Sequence, residues 1–116
     1  MYKIRTYNAI SAKGLDCFPS AGYQVSSDCD APHGFILRSQ KLHTEIVPDS
    51  LAAVARAGAG VNNIPVDDYT ARGIVVFNTP GANANAVKEL IVAALMMASR
   101  AIYGGMRYVQ GLTEID

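Results

Sequence analysis

The chain has no excess of charge, no long apolar run, and few residues able to bind a metal or close a disulfide. Ten basic and ten acidic side chains among 116 residues give a formal charge of zero. No broad field therefore exists to gather a polyanion or an anionic lipid surface, which argues against nucleic acid and membrane partners. The apolar stretch Leu90 to Ala98 is nine residues long, under half of the roughly 20 that a membrane-spanning helix needs. The start MYKIRTYN has no uninterrupted apolar region behind its basic residues. A soluble, cytoplasmic protein is expected.

Cys17 and Cys29 are the only cysteines and have eleven residues between them. With no CxxC pair and no group of histidines, they read as free thiols, and no metal site is expected. His33 and His43 flank a strand and read as exposed or edge residues. Walker phosphate loop, nucleophile elbow, internal repeat and low-complexity tract are all missing, and no Ser, His and Asp set suggests a hydrolase.

What is present is a strand and helix alternation. At 50% hydrophobic residues, a chain of this length can bury roughly two thirds of its unfolded surface, enough for one core. Strands are expected at Ile4 to Tyr7, Tyr23 to Ser26, Phe35 to Leu37, Val54 to Ala57 and Ile74 to Phe77. The last has four consecutive apolar residues and reads as covered on both faces, as in a parallel sheet. Ala12 to Phe18, with Ser11 as cap, predicts a short helix stopped by Pro19. Little room remains for a helix between the second and third strands. Leu42 to Leu51 predicts a short helical turn interrupted by Pro48.

A longer helix is expected over Ala86 to Ile102, capped by Asn85 and ended by Gly104 and Gly105. The segment from Met106 can be helical through Gln110, with disorder expected beyond Gly111. On this reading residues 1–103 form the domain and residues 104–116 a tail.

The most informative stretch is Arg56 to Pro80. Gly58, Ala59 and Gly60 follow a strand directly, so the backbone can turn tightly and present amides to a carboxylate or phosphate. A purely structural turn explains the same residues, and both readings stay open. The dinucleotide fingerprint GxGxxG is not met, because Asn63 stands at the third glycine position. Asn62 and Asn63 read as loop-fixing side chains. Asp67 and Asp68 fit a helix start after Pro65 better than acid catalysis.

Arg38 and Ser39 lie just beyond the third strand, at the carboxyl edge of a parallel sheet, where ligands usually bind. A guanidinium there can pair with a carboxylate through two donors or make a surface ion pair. Asn78, Thr79 and Pro80 occupy the equivalent edge after the fifth strand. Glu89 suits a helix start, and Lys88 can meet a phosphate or solvent. Three polar loops on one edge predict a crevice.

The segments ILRSQ, VARAGAGVNNIPVD and GIVVFNTPGANANAVKEL, with the start MYKIRTYNAI, resemble the amino-terminal part of the D-isomer specific 2-hydroxyacid dehydrogenase family, in particular its phosphoglycerate branch. The resemblance implies an α/β, flavodoxin-like fold: a five-stranded parallel sheet with helices on both faces, a three-layer sandwich. It implies a substrate-binding part only, in which Arg38 and Ser39 line the substrate pocket. Gly58, Ala59, Gly60 and Val61 would then hold the substrate carboxylate through backbone donors. Asn78 and Thr79 would lie near the nicotinamide side of the cleft.

The resemblance further implies an NAD-dependent oxidation of 3-phospho-D-glycerate to 3-phosphohydroxypyruvate in serine biosynthesis, by a homo-oligomer. NAD is expected to be bound mainly by an absent domain, because the family's glycine fingerprint, catalytic arginine, glutamate and histidine have no counterpart here. The small partner is a phosphorylated 2-hydroxy acid, and Arg38, Lys41, Arg56 and Lys88 are the basic residues able to meet its phosphate. The chain alone is then expected to bind substrate weakly, to turn over nothing, and to self-associate through apolar surface. A naturally short ligand-binding or interaction module is the alternative.

Overall fold

The computed structural model describes residues 1–112; the tail expectation for residues 113–116 lies outside them. Five strands appear where the apolar segments predict them: β1 Tyr2–Thr6, β2 Tyr23–Ser26, β3 Gly34–Leu37, β4 Ala53–Arg56 and β5 Val75–Phe77. They form one sheet of order β2-β1-β3-β4-β5, and every neighbouring pair is parallel.

Strand order reverses at β1, and that reversal sets the layers. Helix α1, Ala12–Leu15, lies between β1 and β2, whereas α2, Val66–Ala71, lies between β4 and β5. The two crossovers run in opposite directions along the sheet, so the right-handed rule puts α1 on one face and α2 on the other. The result is the expected flavodoxin-like three-layer α/β arrangement. No helix separates β2 from β3.

The core sits mainly on the α2 face. Phe35 pairs in register with Val54, and Val54 with Val76; Phe35 and Val54 are buried and Val76 packs against them. Tyr7 meets Phe35 edge to face, with centroids 5.2 Å apart. Tyr69 reaches this cluster from α2. The same helix has Asp67 and Asp68 in its first turn, as expected for carboxylates near free amide donors. It ends in a Schellman motif: Ile74 N donates to Tyr69 O at 2.8 Å and Gly73 N to Thr70 O at 3.0 Å, with Gly73 at φ 75.

Several segments differ from what their sequence predicts. β5 is an edge strand, and although Ile74 and Val76 meet the core, Val75 and Phe77 are 51% and 58% exposed. Four apolar residues in a row thus reflect one buried and one open face. Leu42 to Leu51 holds the single turn expected before Pro48, with Glu45 N donating to Leu42 O at 3.2 Å, and Leu42 and Leu51 enter the core from loop positions.

Contacts divide the chain into Met1–Ala82 and Asn83–Asp116. The second unit holds α3, Ala84–Ser99, and α4, Ile102–Gln110. Asn83, not Asn85, is the N-cap of α3, and it makes no side-chain cap bond. Asn85 instead donates to Glu89 Oε1 at 3.1 Å and accepts from Lys88 Nζ. Gly104 and Gly105 lie inside α4 and do not end α3, which stops at Arg100 before Ala101 turns left-handed at φ 48. Helix through Gln110 occurs as expected. Among the described residues no helix is long and apolar enough to cross a membrane.

Candidate ligand-binding rim

Because all five strands are parallel, the loops that follow β1, β3, β4 and β5 leave the sheet at one end. Asn8, two residues past β1, has φ 63, a left-handed conformation that asparagine tolerates better than most residues. Its Oδ1 accepts from the backbone N–H groups of Arg38, Ser39 and Gln40 at 3.2, 3.0 and 3.0 Å. From the other side Arg56 Nε donates to Arg38 O at 3.0 Å. Asn63 Nδ2 donates to Arg38 O at 3.2 Å and to Gln40 O at 2.7 Å. The peptide groups after β3 are therefore held by side chains from three other segments, while the Arg38 and Ser39 residues remain exposed.

The turn after β4 is tied at its start by the amides of Ala57 and Gly58, which leaves Gly58 without a free donor, and beyond that by its carbonyls. Ala57 N donates to Leu37 O at 2.8 Å and Gly58 N to Arg56 O at 2.9 Å, and Gly58 O accepts from Thr79 N at 3.0 Å. Ala59 O accepts from Asn78 Nδ2 at 2.8 Å. Among the described residues, the amides of Ala59, Gly60 and Val61 make no hydrogen bond. A run of free N–H groups in a turn whose carbonyls are engaged elsewhere is suited to an anion.

The structure thus brings Arg38, Ser39, Gly58, Ala59, Gly60, Val61, Asn78 and Thr79 to one rim. It sets the other candidates apart. His33 precedes β3, at the opposite end of the strand, where its Nδ1 accepts from Lys3 N at 3.0 Å. His43 is exposed and lines a shallow hollow with Pro65, Val66, Asp67 and Asp68. Cys17 and Cys29 are both free thiols.

Asn8 and Asn63 differ in how visible they are in the sequence. Asn63 is expected to fix its loop and does so, at 8% exposure. Asn8 reads only as the end of a strand; an asparagine directly after a strand, able to turn left-handed, is the signal that could have found it.

Two tyrosines near this end of the core are electrostatically unusual. The hydroxyls of Tyr7 and Tyr69 are buried without a hydrogen-bond partner, as is Asn63 Oδ1. Burial pushes the Tyr7 phenol above its ordinary value of 10.0, and the Glu45 carboxylate adds to this against the opposing Arg5. Burial raises Tyr69 in the same direction, with Tyr7 contributing next.

Comparison with known proteins adds a family. Residues 25–113 match the D-isomer specific 2-hydroxyacid dehydrogenase, catalytic domain. This overturns the expectation of a substrate-binding part only, with NAD bound mainly by an absent domain. The matched region is the family's catalytic domain, and the match gives no support for assigning the cofactor to another domain. Short loop motifs identify a lineage but do not divide its functions between domains.

The D-3-phosphoglycerate dehydrogenase of Archaeoglobus fulgidus is 40% identical over 70 residues, 58% of this chain and 13% of that protein. A solved structure, the cofactor (NAD+) bound 3-phosphoglycerate dehydrogenase of Entamoeba histolytica, is 27% identical with a TM-score of 0.70. The match covers 83% of this chain and 38% of that one. The TT0316 protein from Thermus thermophilus shares the fold at a TM-score of 0.81 and 21% identity, over 98% of this chain and 42% of that one. The chain spans under half the length of each of these relatives.

Proposed function

We propose, from the premise that this chain belongs to the D-isomer specific 2-hydroxyacid dehydrogenase family, that its rim holds a small phosphorylated 2-hydroxy acid for NAD-dependent oxidation. The substrate is 3-phospho-D-glycerate and the product 3-phosphohydroxypyruvate. The hydrogen at C2 leaves with its electron pair as hydride, and the hydroxyl gives up a proton to a base. NAD, when bound, supplies the hydride acceptor.

The observation that carries this reading is the set of free amides at Ala59, Gly60 and Val61, next to the loop that carries exposed Arg38. The amides would donate to the substrate carboxylate, and the Arg38 guanidinium and Ser39 hydroxyl would bind its remaining oxygens. Asn78 and Thr79 are the residues proposed to meet the nicotinamide side. Asn78 fits that role, since its Nδ2 is committed to Ala59 O and its Oδ1 is left to accept from a carboxamide. The chemical share of these groups is binding and orientation. All are donors or neutral amides, and none takes a proton near neutral pH.

A titration followed by backbone amide shifts tests the proposal. 3-Phosphoglycerate at millimolar concentration is expected to move the Ala59, Gly60 and Val61 signals, and D-lactate to move them less. Null responses to both ligands would remove the rim as a substrate site.

A further inference from the structure

We infer that Asn8 is a positioning residue for ligand capture at this rim, acting through the loop after β3; the inference rests on the ligand reading given above. One side-chain oxygen accepts three consecutive backbone amides, those of Arg38, Ser39 and Gln40. Those amides are consequently closed to a ligand. An anion must take its backbone donors from the turn after β4, and the loop after β3 contributes through the Arg38 and Ser39 side chains.

The same bonds decide where those side chains start. Arg38 O is pinned by Arg56 and Asn63 and Arg38 N by Asn8, so the Arg38 peptide groups are fixed from two directions before any ligand arrives. Without Asn8, three amides turn to water and the ordering of the loop must be supplied on binding, which weakens affinity. The left-handed backbone at residue 8, φ 63, is the conformation that Asn8 adopts as it faces all three donors, and it is one that few side chains share.

Two substitutions separate the acceptor from the backbone. Asn8→Gly keeps access to positive φ but has no acceptor, and Asn8→Asp keeps both. Hydrogen exchange at Arg38, Ser39 and Gln40 is expected to be slow in the wild type and in Asn8→Asp. In Asn8→Gly it is expected to speed up by about tenfold or more, on the order of one net hydrogen bond, with β3 unchanged. In the 3-phosphoglycerate titration, Asn8→Gly is expected to lose the ligand-induced shifts at Arg38 and Ser39 and to keep those at Ala59 to Val61, with affinity about tenfold weaker.

Equal affinity and equal protection in Asn8→Gly and wild type would overturn the role of Asn8 while leaving the substrate site intact. So would a uniform loss of protection through β3, because that marks a merely structural residue. A wild type that binds nothing would instead sink the substrate reading, and the positioning role with it.

Discussion

A Cβ placed on Gly58 would lie 2.6 Å from Arg56 Nη1 and 3.0 Å from its Cζ, so the absent side chain is what lets the guanidinium lie across the turn. Arg56 uses that space to hold Arg38 O. The loops after β3 and β4 are thereby coupled through one side chain.

Gly58→Ala is therefore expected to push the tip of Arg56 aside and break its bond to Arg38 O. The tip is flexible, so folding should lose only about 0.5–1.5 kcal/mol, the usual net worth of one hydrogen bond. In an Arg56→Ala background the same change should cost less, because the clash and the bond are already gone. A double-mutant cycle by urea unfolding measures this; fully additive effects would show that Gly58 and Arg56 are independent.

Gly73 offers a cleaner backbone test. It sits at φ 75 with nothing within 4 Å of a built Cβ, so Gly73→Ala meets no neighbour and strains only the chain. The expected loss is about 1–2 kcal/mol, and roughly 4–8 °C in melting temperature for a domain of this size. Gly73→Asn should lose less, since asparagine tolerates this conformation. Unchanged melting in Gly73→Ala would show that the Schellman end of α2 relaxes without cost.

Alkaline pH should destabilise the protein through Tyr7 and Tyr69. Both phenols have folded-state values raised above 10.0 by burial. Between the unfolded and folded values the unfolded chain holds fewer protons, so stability is complete below about pH 10 and falls as pH rises through the folded values. Urea midpoints compared at pH 8 and above pH 10 should converge for a Tyr7→Phe, Tyr69→Phe double variant and diverge for wild type. At neutral pH Tyr69→Phe should be neutral or slightly stabilising, because its hydroxyl is buried without a partner. An identical alkaline slope in both proteins would assign the effect to other groups.

Much of the fold could be read along the chain because its signals are local. The runs around Val54 and Ile74 predict strands, Pro65 with Asp67 and Asp68 predicts the start of α2, and these elements stand where expected. The end of α3 was less legible. Gly104 and Gly105 resemble a stop signal, yet the chain breaks earlier at Ala101 and both glycines are absorbed into α4, since glycine weakens a helix without forbidding it. Val75 and Phe77 misled for another reason: a run of apolar residues states what a strand prefers to bury, while its place at the sheet edge decides what is covered.

For the candidate site, the residue types at each strand end were already written along the chain: Arg38 and Ser39, the Gly58 turn, Asn78 and Thr79. Folding in three dimensions alone settled that the carbonyls of Gly58 and Ala59 are engaged while the amides of Ala59, Gly60 and Val61 stay free, and that Asn8 reaches across 30 or more positions to the loop after β3. The cause is range. Propensity and periodicity act between neighbours in sequence, whereas parallel pairing of β1 with β3 and of β3 with β4 brings distant loops to one end. Which donor meets which acceptor is fixed there.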